Sequence, residues 1–171
     1  ALLGLLDREG RELFLERFKE AASAEGARFA LLETEDAGDK GLSVVYSVPE
    51  HSPAGSGFSE TLERLRRTES ILGGSDGLSE KILGLVFEAE AEAHGLPKEE
   101  VHLHEIGRPQ AMLNICGIGR AAAMLGSMGA GGFVCSTIST GGGAVAISHG
   151  VFRVPPPASA ILLRGLRHVS G

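Results

Sequence analysis

The sequence contains no tryptophan and a single tyrosine. Proteins that hold single strands stack successive bases on aromatic side chains, so this scarcity argues against such a ligand. Positive charge is also in short supply. Sixteen Lys and Arg stand against 22 Asp and Glu, a formal net charge of −6. The short basic run Arg64, Arg66, Arg67 lies among acids. A protein that neutralises a phosphate backbone carries the opposite balance, so nucleic acid is excluded as a partner. No apolar run approaches the roughly 20 residues of a membrane helix, and no signal peptide is visible. There are only two cysteines, Cys116 and Cys135, too far apart for a CxxC pair. Both are expected to be buried thiols in a reducing cytoplasm. The chain opens at Ala1 inside a helical pattern and ends at Ser170-Gly171 with no closing element, which reads as a piece of something longer.

What is present is an ordinary apolar content of 43% and 25 glycines, which call for many turns and close backbone approaches. A chain of 171 residues suffices for one domain, and 1–171 is expected to be a single domain with a sub-boundary in the loop 49–58. Residues 2–10 read as a helix end stopped by Gly10. A second helix follows over 11–25 on Leu13, Phe14 and Phe18. The β-rich runs 28–33 and 42–48 predict a hairpin. One helix then runs from a Ser59 cap to Gly73-Gly74. Another opens at Asp76 or Ser79, buries Leu78, Ile82, Leu85, Val86 and Ala89, and ends at Gly95 and Pro97. Its Glu88, Glu90 and Glu92 form a solvated face. Residues 100–104 are extended, and Pro109 opens a helix through about Leu125. Strands are expected over 132–140 and over 144–154, broken at His149-Gly150, before a short helix 158–163. This order gives an α+β fold, a mixed sheet with helices packed mainly on one face.

Two places carry chemistry. His102 and His104 are two apart, a spacing that puts both rings on one face of an extended segment, with Glu105 beside them. Imidazole and carboxylate suit a borderline divalent metal such as nickel, zinc, copper or iron. Against this stands a reading in which two half-buried histidines and a glutamate merely support the following helix. His149, between Ser148 and Gly150, is a further ligand candidate, or only a turn residue. Gln110 and Asn114 share a helix face at i, i+4, where amides coordinate weakly and take no proton near neutral pH. The glycines Gly141, Gly142 and Gly143 form a hairpin turn, or a row of backbone N–H groups for a phosphate or carboxylate. Gly117-Ile118-Gly119 matches part of a dinucleotide fingerprint. No acid occurs over 130–149 to hold the ribose, so these glycines are read as close helix packing.

EEVHLHEIG, a helix, then STGGG and SHGVFRVPPPASAILLRG together resemble the nickel-insertion proteins of nickel-pincer nucleotide cofactor biosynthesis. The match is specific over residues 78–171 and looser before, and it places the chain in the N-terminal part of such a protein. The resemblance implies insertion of nickel into a pyridinium-3,5-bisthiocarboxylate mononucleotide by a cytoplasmic, lyase-type chelatase, using CTP and a divalent cation. It implies His102, His104, Glu105 and His149 as metal ligands and Gly141, Gly142 and Gly143 as contacts to a small nucleotide-type substrate. Gln110 and Asn114 stand where the family pattern has aspartates. The contrasting expectation is a short paralog or fragment that keeps the fold and acts as a structural, metal- or partner-binding module, pairing with another protein or with itself as a homo-oligomer.

Overall fold

The computed structural model describes residues 2–36, 38–48, 57–103, 107–147 and 150–170. Helix α1 (Arg8–Ala24) buries Phe14, Phe18, Ala21 and Ala22, a stripe at helical spacing. Gly10 lies inside this helix and does not stop the preceding turn. The Asp7 carboxylate caps α1 by accepting from the Gly10 N–H at 2.8 Å. A Cβ on Gly10 would lie 2.9 Å from that carboxylate oxygen, so the glycine makes room for the cap. The hairpin is as expected. Strands β1 (Arg28–Asp36) and β2 (Asp39–Ser47) pair antiparallel, with Phe29 opposite Tyr46. Phe18 of α1 meets the Phe29 ring edge-on at 4.9 Å, which seats the hairpin on the helices.

Helix α2 (Phe58–Leu72) starts one residue before the expected Ser59 cap. Its N-cap is Gly57, whose carbonyl accepts from the Thr61 hydroxyl at 2.8 Å. It ends, as expected, at a left-handed Gly73. Helix α3 (Leu78–His94) is capped by Gly77 at φ 79°, and neither Asp76 nor Ser79 occupies the cap. Ser75 Oγ instead accepts from the Ser79 N–H. The buried face is rotated from the expected one: Ala89 is buried and Ile82 and Val86 pack on the core as expected, but Ser79, Leu83 and Phe87 are the most buried and Leu85 is half exposed. The reason is a close approach of helix α4 (Pro109–Ser127). A Cβ at Gly119 would sit 2.3 Å from Ser79 Oγ and 2.8 Å from Ser75 Cβ. Only small residues fit that crossing, so they set the rotation of α3. Gly117 does the same for Phe18, whose ring would lie 2.8 Å from an added Cβ. The glycines of the would-be fingerprint are thus packing residues, as read.

The remaining described strands are short. β3 (Ile138–Ser139) replaces the longer strand expected over 132–140. β4 (Ala144–Ile147) and β5 (Gly150–Arg153) form an antiparallel hairpin. Helix α5 (Pro157–Leu162) packs on α3. A closing element exists after all: β6 (His168–Val169) pairs parallel with β3. The fold is α+β. The described strands form three separate two-stranded ladders, not the one mixed sheet expected, and the helices supply most of the core. Glu92 is not merely solvated, since it pairs with Arg164 just beyond α5.

One polar cluster crosses this core. The carboxylate of Glu25, 6% exposed, accepts from Arg64 Nε at 2.7 Å and Nη2, and from the Thr68 hydroxyl at 2.6 Å. The same guanidinium donates through Nη1 to the Gly107 carbonyl at 2.6 Å. It joins the end of α1, the middle of α2 and the turn entering α4. Removing one partner of such a pair strands a buried charge. Arg64→Met is therefore expected to lower unfolding free energy by about 3–5 kcal/mol in urea denaturation. A loss below about 1 kcal/mol would show that the pair is not structural.

Candidate metal and substrate site

The extended segment before α4 alternates. Val101 and Leu103 are 2% and 3% exposed, and His102 between them faces solvent. Val101 and Leu103 belong to the hydrophobic core, in which Phe58 meets Phe87 edge-on at 5.0 Å and Lys98 Nζ lies 4.1 Å above the Phe58 ring. The His102 ring lies beside the N-cap of α2, with Cε1 3.9 Å from the Cβ position of Gly57. His104, Glu105 and His149 lie outside the described residues. Among the described residues, no group of three or more His, Cys, Asp or Glu is placed to hold a metal.

The two amides separate in role. Asn114 Oδ1 accepts from the Tyr46 hydroxyl at 2.7 Å, so this side chain ties α4 to the hairpin. Burial pushes the Tyr46 hydroxyl up to about 12, which keeps it the donor. Gln110, one turn earlier in α4, has its Oε1 buried with no hydrogen-bond partner among the described residues. A buried amide oxygen without a donor is costly unless a ligand or cation satisfies it. Gly141, Gly142 and Gly143 are exposed, in the connection between β3 and β4, with positive φ at Gly141 and Gly143.

Sequence reasoning overlooked the Glu25–Arg64–Thr68 cluster and Tyr46. The signal for the first was available: Thr61, Arg64, Leu65, Thr68 and Leu72 share one helical stripe, three members of which are threonine or arginine. Tyr46 also stands at the edge of a mainly apolar cavity of about 350 Å³ between α1, the hairpin and α4, bounded by Phe14, Phe18, Phe29, Leu113 and Gly117.

This is an α+β protein with a solvent-facing histidine on an anchored segment at the mouth of a central helix. The nickel insertion protein family matches residues 4–170. The chain belongs to that family. It is 39% identical over 88 residues to a pyridinium-3,5-bisthiocarboxylic acid mononucleotide nickel insertion protein of Staphylococcus epidermidis, covering 52% of this chain and 22% of that protein. A Thermotoga protein of the same name is 39% identical over 115 residues, 66% of this chain and 26% of its own length. One from Nocardioides is 36% identical over 113 residues, 62% and 28%. The chain thus matches about a quarter of the length of these relatives. No solved structure matches it. No helix among the described residues is long and apolar enough to cross a membrane.

The cysteines differ from expectation in one respect: Cys116 is buried and Cys135 is exposed. Burial, then the charges of Glu69 and Glu25, push the Cys116 thiol from 9.0 up to about 12. Iodoacetamide at pH 8 is expected to label Cys135 and spare Cys116 in the native chain, read by mass spectrometry. The same shift fixes a sign for stability. The unfolded chain releases this proton near pH 9 and the folded chain near pH 12, so stability falls across that window.

Proposed function

We propose that this chain is the nickel-handling part of a nickel insertion protein, presenting Ni(II) as cargo to a pyridinium-type mononucleotide. The observation that carries this reading is the family match over residues 4–170, which spans every proposed ligand. His102, His104, Glu105 and His149 are the proposed ligands, and Gly141, Gly142 and Gly143 the proposed substrate contacts. CTP and a further divalent cation enter from the family resemblance as co-substrates, with no residue of this chain assigned to them.

The chemistry follows from the donor set. Neutral imidazole and carboxylate bind Ni(II) well. A cargo ion must also leave, so a ligand presented to solvent, as His102 is, suits transfer better than a closed four-ligand site. The alternation from Val101 to Leu103 supports the idea that His104, two residues on from His102, shares its face. The buried, unpartnered Gln110 Oε1 is a hard oxygen that a cation or a substrate N–H would satisfy.

A second reading, a non-catalytic module for structure or for a partner, is favoured by one observation. Asn114 is already committed to Tyr46, so of the two amide positions only Gln110 has an oxygen left for a cation. Calorimetric titration with Ni(II) near neutral pH separates the two. The cargo reading expects saturable binding that His102→Ala weakens at least tenfold. Gln110→Glu is expected to strengthen it about tenfold, because a full charge a few ångströms from the ion contributes kcal/mol-scale attraction. Equal affinities in the parent and His102→Ala would leave only the module.

A further inference from the structure

Charge is segregated along this chain. All 22 acidic residues precede residue 106, whereas residues 106–171 contain five arginines and neither Asp nor Glu. Two of those arginines are engaged: Arg164 pairs with Glu92, and Arg120 donates to the Gly73 carbonyl. Arg153 is exposed and has no ion pair or hydrogen bond among the described residues.

The backbone brings Arg153 to the glycine turn. It ends β5 and pairs with Ala144, the residue after Gly143. The next residue, Val154, donates its N–H to the Gly143 carbonyl at 3.1 Å. Directly paired antiparallel residues have Cα atoms about 5 Å apart, within reach of an arginine side chain. Gly141 and Gly143 take φ of 70° and 84°, and nothing lies within 4 Å of where their Cβ atoms would be. None of the three glycine N–H groups donates to a described backbone carbonyl. Successive free N–H groups in such a turn form an anion-binding concavity, and a guanidinium beside it adds a two-pronged donor.

We propose that the Gly141–Gly143 turn and Arg153 form an anion site for the phosphate of a mononucleotide-type ligand. This deepens the reading of the chain as a handler of such a substrate. It also gives the charge segregation a purpose. The His102 segment lies at the boundary, with the acid-rich part behind it for a cation and the acid-free part ahead for an anion. No carboxylate of the second part opposes the phosphate.

The test uses the isotope-labelled chain without nickel. Inorganic phosphate, then nicotinate mononucleotide as a pyridinium mononucleotide, is titrated at low salt while amide resonances are followed. Saturable shifts at Gly141, Gly142 and Gly143 are expected, weakened by added NaCl. Arg153→Gln is expected to reduce affinity at least fivefold and Arg153→Lys less, since lysine keeps the charge and loses the fork. Ni(II) affinity should be the same in both variants and the parent. Absence of saturable shifts at the turn, or equal affinity in Arg153→Gln, overturns the proposal. Loss of nickel binding with phosphate binding intact would remove the nickel reading and leave this one standing.

Discussion

The carboxylate of Glu25 is the constraint on which the rest of the described structure depends. It sits almost wholly out of water and is held by both Arg64 and Thr68. An ionised group in that position requires its partners, because a buried charge without them is strongly unfavourable. Arg64 has a second acceptor in the Gly107 carbonyl, so one guanidinium fixes the end of α1 and the entry to α4 together. His102 is flanked by the buried Val101 and Leu103, and the Gly107 carbonyl is held by Arg64. A histidine on such a segment can face solvent without being loose.

The second constraint is size. Gly117, Gly119, Ser75 and Ser79 let α4 run close to both α1 and α3. That closeness buries α4 on nearly all sides: Met112, Leu113 and Cys116 are fully enclosed. A central helix so enclosed can direct little outward, which is why its few polar side chains are informative. Asn114 reaches the Tyr46 hydroxyl, and Gln110 keeps a buried oxygen without a partner among the described residues. The same amide group, one turn apart, thus serves cohesion in one case and leaves an oxygen unpartnered among the described residues in the other.

How much of this was legible in the sequence follows from the range of each signal. Hairpin β1–β2, the Pro109 start of α4 and the Gly73 stop are local, and they stood as read. Caps were misplaced at Ser59 and Ser79, because glycine can occupy a cap whose usual residues lie a step or two away, and the stop expected at Gly10 is instead the inside of a helix capped by Asp7. The α3 face was read from Leu78, Ile82 and Leu85. Its true orientation is set by Gly119, 40 residues later than Ser79, which no local period contains. The β3–β6 pairing joins Ile138 to His168 and was invisible for the same reason. At the site, the motif around His102 was legible as a family pattern, whereas the Arg64–Gly107 support was not, since its partners are far apart in sequence.

In functional terms the chain carries an exposed histidine between two buried residues and, in its acid-free C-terminal part, an exposed glycine turn. The central claim is that nickel is held by imidazole from the His102 segment. X-ray absorption at the nickel edge of the Ni(II)-loaded chain tests it most directly. The account predicts the outer-shell scattering of at least two imidazole rings, reduced by one ring in His102→Ala. An all-oxygen shell, or a sulfur shell from Cys135, unchanged in that variant, would contradict it.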